Sequence, residues 1–156
     1  MIETPRLLQT RDQHTAVIRL AVPCAQMQQV MGPGIEELFA TVATQGIETT
    51  GAWFTRHFQI PDDTFDFEIG VPVATPVQRA GRVAPSRLPA LTVARTLYAG
   101  NYDGLPQAWG AFQAWLEKEG HATRLPVWES YVLDPSTNAD PASWRTELNW
   151  PLAEQD

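Results

Sequence analysis

The chain reads as an α+β domain made of two strand-helix-strand-strand modules, with an antiparallel sheet and two main helices. Three observations predict this. The two halves can be laid over each other at a separation of about 76 residues. Each half holds one stretch with apolar residues at helical spacing, and in each half β-branched and aromatic runs flank that stretch in the same order. Gly46 is followed by Ala52-Trp53-Phe54-Thr55-Arg56 and then by Phe65-Asp66-Phe67-Glu68-Ile69-Gly70-Val71-Pro72-Val73. Gly120 is followed by Val127-Trp128-Glu129-Ser130-Tyr131 and then by Trp144-Arg145-Thr146-Glu147-Leu148-Asn149-Trp150-Pro151-Leu152. The offset drifts from 74 at the glycines to 79 in the closing strands through loop length, and at one matched position Phe54 faces Glu129. A carboxylate on one side only of a duplicated pair is hard to explain by fold alone.

In order along the chain, module 1 covers about residues 14–73, a linker about 74–89 and module 2 about 90–152, all within a single domain of 1–156. His14 to Ala21 reads as the first strand, and Pro23 to Gly32 fits no single element. Ile35, Leu38, Phe39 and Val42 predict a helix, with Pro33 in its first turn and Gly46 beyond its end. Strands follow near Thr50 to Gln59 and Asp66 to Val73, split by the turn Ile60-Pro61-Asp62-Asp63-Thr64. Pro76, Pro85 and Pro89 with Arg79, Arg82 and Arg87 make Ala74 to Pro89 an exposed connection of solvated arginines. Ala90 to Ala99 opens the second module. Leu105, Trp109, Phe112 and Leu116 predict its helix, capped by Asp103 and ended by Gly120. The last strands run near Arg124 to Leu133 and Ser143 to Leu152, joined by Asp134-Pro135-Ser136-Thr137-Asn138-Ala139-Asp140-Pro141, which cannot continue a ladder. Six strands and two helices result.

Composition narrows the function. The 18 acidic residues outnumber the 11 basic ones, for a net charge of -7, which repels phosphate backbones, so direct nucleic-acid binding is not expected. Cys24 is the single cysteine, so neither an intramolecular disulfide nor a thiolate metal cluster is available. The amino terminus shows no apolar run suited to a signal peptide or membrane span, and a cytoplasmic protein is expected. Lys118 is the only lysine among the basic residues, as in a GC-rich bacterial genome. His14, His57 and His121 are scattered, so no metal is expected. No cofactor is expected either: Gly32-Pro33-Gly34 is too short for a phosphate loop. Cys24 has no histidine beside it, and Ser130 lacks an elbow motif, so no nucleophilic triad is supported.

Glu129 carries the functional reading. Alternation puts it on one strand face with Val127, Tyr131 and Leu133, a largely apolar set. A carboxylate there must be hydrogen-bonded, paired with a cation, or exposed in a cavity that admits ligand. The structural alternative is a glutamate held by the Tyr98 or Tyr102 hydroxyl, or paired with Arg95 or Arg124, in a dry core. Six tryptophans, six phenylalanines and three tyrosines exceed what a core of this length needs. Trp109, Phe112 and Trp115 are assigned to the helix core. Trp53, Phe65, Phe67, Tyr98, Tyr102, Tyr131 and Trp144 are candidates to line a ligand site with Glu129. Aromatic faces around a carboxylate favour an amphipathic, often cationic, molecule.

The run Trp128-Glu129-Ser130-Tyr131-Val132-Leu133-Asp134-Pro135, a polar loop, and Arg145 to Leu152 resemble the end of the GyrI-like family. Thr96-Leu97-Tyr98-Ala99-Gly100-Asn101-Tyr102-Asp103-Gly104-Leu105 resembles that family's strand-to-helix junction. The family comprises effector-binding domains of multidrug-sensing and AraC-type regulators and their free-standing relatives. The resemblance implies two modules about a pseudo-twofold axis, with an apolar ligand cleft between them that a glutamate at the position of Glu129 faces. It implies a free-standing domain that binds amphipathic, aromatic or cationic compounds, with a separate regulator as a possible protein partner. A second implied activity is hydrolysis of strained, cyclopropane-type electrophiles, with Glu129 as general base and Tyr98, Tyr102 or Tyr131 as hydrogen-bond donor. A third is inhibition of DNA gyrase by protein contact, for which no segment argues.

Overall fold

The computed structural model of the chain describes residues 2–59, 63–134 and 139–153. Among these, the order is β1 (Arg6–Gln9), β2 (Gln13–Pro23), α1 (Met27–Thr44), β3 (Phe54–His57), β4 (Thr64–Pro72), β5 (Val83–Leu88), β6 (Thr92–Ala99), α2 (Leu105–Lys118), β7 (Val127–Leu133) and β8 (Arg145–Pro151). The class is α+β, and the chain divides into two compact units, Arg11–Ala90 and Met1–Thr10 with Leu91–Asp156.

In the Arg11–Ala90 unit the strand order is β3-β4-β2-β5, antiparallel throughout. α1 covers one face, burying Ile18, Leu38, Phe67, Ile69 and Val71, with Met27, Val30, Met31 and Ile35 packed against them. Helix and sheet approach closely at Gly34, where a Cβ would lie 2.8 Å from Ile69 Cδ1. After the helix, Gly46 takes φ 68°. The Ile47 amide then donates to the Val42 carbonyl at 3.2 Å and that of Gly46 to Ala43 at 3.0 Å, a Schellman end.

The second unit has the order β1-β6-β8-β7, again antiparallel. α2 lies over Ala94, Tyr98 and Leu148 through Leu105, Ala108, Phe112 and Leu116. Its end repeats that of α1: Gly120 has φ 76°, and the His121 amide donates to Leu116 at 2.9 Å.

Matching the closing strands, Glu68 with Glu147 and Pro72 with Pro151, provides a ruler for the repeat. Phe54 pairs with Gly70, and Trp128 with Asn149; Thr55 pairs with Ile69, and Glu129 with Leu148. The counterpart of Glu129 is therefore Thr55 and not Phe54, a one-residue correction from strand register that keeps the asymmetry. Phe54 corresponds to Trp128, and both are buried. Gly70 is required there, since a Cβ would meet the Phe54 ring.

Several sequence expectations change. The described residues form eight strands instead of six, because β5 forms inside the expected linker and β1 precedes the first module. Pro85 argued against a strand, yet β5 is outermost in its unit's order, where a missing amide donor is tolerated. α1 begins at Met27, leaving Pro33 inside the helix, because Met27, Val30 and Met31 extend its apolar stripe. Asp103 does not cap α2. A 3-10 turn at Tyr102–Gly104 precedes the helix, and Gly104 stands at its N-cap without a side-chain bond. The predicted turn at Ile60, Pro61 and Asp62, the loop at residues 135–138 and the side chain of Cys24 lie outside the described residues.

Candidate functional site

Tyr98 ends β6 with its hydroxyl donating to the Asn101 carbonyl at 2.7 Å. That bond folds the chain back into the 3-10 turn, and a Cβ at Gly104 would lie 2.1 Å from the Tyr98 oxygen, so only glycine fits. The turn sets Tyr102 ahead of α2 and leads into the helix that carries Trp109. On the sheet below, Glu129 pairs with Leu148 and Tyr131 with Thr146, so both side chains share the face that α2 covers.

Glu129 is half-buried, and each of its oxygens has a neutral donor. Trp109 Nε1 donates to Oε1 at 2.5 Å, and the Tyr131 hydroxyl to Oε2 at 2.7 Å. Among the described residues no salt bridge reaches it. The rings around it form two groups. Tyr102 lies 5.7 Å edge-on from Tyr131 and 5.0 Å from Trp144, while Trp109 lies 5.9 Å from Phe112 and 5.5 Å edge-on from Trp150. Burial, with Asp134 and then Glu129 as nearby negative charges, pushes the Tyr102 phenol up to about 12. Asp134 is itself buried. The arrangement is an acidic, aromatic-walled cluster in which, among the described residues, Glu129 has no counter-charge.

The structure thus brings together four sequence candidates: Glu129, Tyr131, Tyr102 and Trp144. Tyr98 is in the same unit, but its hydroxyl is committed to backbone and not to Glu129. Trp53, Phe65 and Phe67 belong to the other unit; Phe67 is fully buried in the α1 core and stacks on His57 at 5.5 Å, with Trp53 and Phe65 packed on that core. Arg95, one of the partners left open for Glu129, is engaged elsewhere. Arg95 pairs with Asn149 across the ladder, which turns it to the opposite sheet face, where it bonds Asn149 at 2.6 Å and Glu147 at 3.3 Å. Two residues escaped sequence reasoning. Trp109 was assigned to the core, although a tryptophan beside an apolar stripe still needs an acceptor for its indole N–H. Asp134, just beyond β7, stood in the family-resembling run and the loop with no role assigned to it.

The Arg11–Ala90 unit holds a different polar group. Arg56 and Glu68 lie across β3 and β4 at 3.7 Å, with side chains 13% and 7% exposed, and burial is the leading influence on both. It holds the Glu68 carboxyl above the usual range and the Arg56 guanidinium below its own.

A family model described as GyrI-like small molecule binding domain matches residues 3–153. No curated protein matches the chain. Among solved structures, the C-terminal domain of EcmrR is similar at TM-score 0.84 and 23% identity, over 97% of this chain and 98% of that one. In the EcmrR–DNA complex the values are 0.82 and 21%, over 99% of this chain but 58% of that one, so the chain spans little more than half that length. A hydrolase from Listeria innocua matches at TM-score 0.67 and 13% identity, over 96% and 91% of the two chains. SAV2435 bound to tetraphenylphosphonium matches at 0.65 and 12%, over 96% and 94%. At these identities the likeness establishes the fold. No helix among the described residues is long and apolar enough to cross a membrane.

Proposed function

Because the chain belongs to the GyrI-like small-molecule-binding family, we propose that the cluster around Glu129 binds amphipathic organic cations with aromatic faces. One observation carries the reading: a half-buried carboxylate is held by two neutral donors, Trp109 and Tyr131, and no cation among the described residues pairs with it. Such a charge is costly unless a ligand supplies its complement. Tyr102, Tyr131, Trp144 and Trp109 offer ring faces for the rest of the molecule. The tetraphenylphosphonium complex of SAV2435 is a precedent within the same fold.

The test is titration by tryptophan quenching with tetraphenylphosphonium and with neutral triphenylphosphine oxide. Glu129→Gln preserves shape and removes charge. It is expected to weaken the cation by roughly ten- to a hundredfold, the scale of a charge-assisted contact of about 1.5–3 kcal/mol, and to leave the neutral probe within about twofold. Equal weakening of both probes would remove the charge role.

A second reading, hydrolysis of a strained electrophile with Glu129 as general base, draws on the Listeria innocua neighbour described as a hydrolase. Binding is preferred because both donors at Glu129 already serve its charge. Excess protein mixed with a cyclopropane-bearing electrophile should return it unchanged. Multiple turnovers by the wild type, with none by Glu129→Gln, would establish the enzyme instead.

A further inference from the structure

Two hydroxyls described near Glu129 are buried without a hydrogen-bond partner among the described residues: that of Thr146, a wholly enclosed residue, and that of Tyr102, a partly exposed one. Trp109 and Tyr131 donate to Glu129, and Tyr98 donates to Asn101. Tyr102 Oη is buried and, among the described residues, has no hydrogen-bond partner. Its ring packs edge-on against Tyr131 at 5.7 Å and tilted against Trp144 at 5.0 Å. A buried hydroxyl without a protein partner is destabilising until a water or a ligand atom pairs it. An ordinary phenol is already protonated at physiological pH, and burial, then the carboxylates of Asp134 and Glu129, push this one further, up to about 12. It is therefore a donor and not an anion.

We propose that Tyr102 is a specificity-determining residue whose hydroxyl donates to an acceptor on the ligand, so that the site selects aromatic cations bearing a carbonyl, ether or hydroxyl oxygen over those with none. The inference rests on the Glu129 reading and adds the ligand class. Charge recognition and acceptor recognition fall to two different residues within one cluster. A ligand that leaves the phenol unpaired would keep the penalty already present in the free protein, and one that pairs it would relieve that penalty.

The experiment compares tetraphenylphosphonium with its 2-, 3- and 4-acetylphenyl analogues, so that the carbonyl samples several positions. It uses the wild type, Tyr102→Phe and Glu129→Gln. Wild type should bind at least one acetyl isomer about fivefold more tightly than the parent, the scale of one net neutral hydrogen bond. Tyr102→Phe, which keeps the ring and removes the donor, should erase that preference. Without probe, the Tm of Tyr102→Phe should equal or exceed that of the wild type, since the variant removes an unpaired hydroxyl. Equal binding of all four probes by the wild type, a preference that survives in Tyr102→Phe, or a Tm several degrees lower would overturn the proposal. If Glu129→Gln still weakens the parent cation in that case, the Glu129 reading stands alone. If no cation binds, both fall.

Discussion

Glu129 and Tyr131 could be joined from sequence because residues two apart on a strand share a face, and the 2.7 Å bond between them is the direct expression of that periodicity. Trp109 could not, since its reach depends on where α2 sits over the sheet, which no local pattern encodes. Tyr98 was misjudged for a related reason: its hydroxyl is spent on the 3-10 turn that starts α2. The indole bond to Glu129 has a measurable consequence. Trp109→Phe keeps most of the ring packing but leaves a half-buried carboxylate oxygen short of a donor, at a cost of about 1–3 kcal/mol. In a Glu129→Leu background the same change should cost less, because no charge is left to satisfy. Urea unfolding of the four proteins gives the coupling, and strictly additive losses would show that the bond contributes nothing specific.

At the scale of elements, the repeat was legible because its markers are local: the glycine after each helix, the proline near the end of each closing strand, and the apolar stripe between. The outer strands were not. β5 looks like linker because it carries Pro85 and Arg87, and β1 lies outside the repeated segment, so strand pairing distant in sequence decides both. The register correction from Phe54 to Thr55 arose the same way, since loop lengths hide a one-residue slip that only the ladder reveals. Within β3 and β4, the Arg56–Glu68 pair was passed over as a match to Glu147. At 3.7 Å it is an ion pair without a hydrogen bond, and Arg56 Nε and Glu68 Oε1 have no hydrogen-bond partner. Glu68→Leu alone should cost about 3–5 kcal/mol by stranding a buried guanidinium, whereas Arg56→Met with Glu68→Leu should be neutral or stabilising by up to about 4 kcal/mol. pH provides an independent check. The folded Glu68 carboxyl lies above its ordinary value of 4.5, so its stabilising contribution is complete below 4.5 and is lost as pH rises through the folded value. Relative to the double apolar variant, the wild type should therefore gain stability as pH falls from neutrality toward 4.5. An unchanged difference across that range would show that Glu68 does not titrate differently on folding.

For the whole molecule, the net charge of -7 is the property read most directly from sequence, and it bears on encounter more than on fold. Exposed charge is screened as salt rises, so whatever the acidic surface adds to affinity should follow the association rate. It acts on approach. A negative field raises the local concentration of cations and repels duplex phosphate, so the proposed binding of organic cations and the expected avoidance of nucleic acid share one physical origin. The association rate of tetraphenylphosphonium, followed by stopped-flow tryptophan quenching, should fall about three- to tenfold between roughly 10 mM and 500 mM salt, as expected for electrostatic steering. Its dissociation rate should change much less, because the contact with Glu129 is half-buried and weakly screened. Triphenylphosphine oxide, which carries no charge, should associate at nearly the same rate at both salt concentrations. If the cation's association rate is as insensitive to salt as the neutral probe's, the field of the molecule plays no part in delivery, and the acidic composition serves solubility alone.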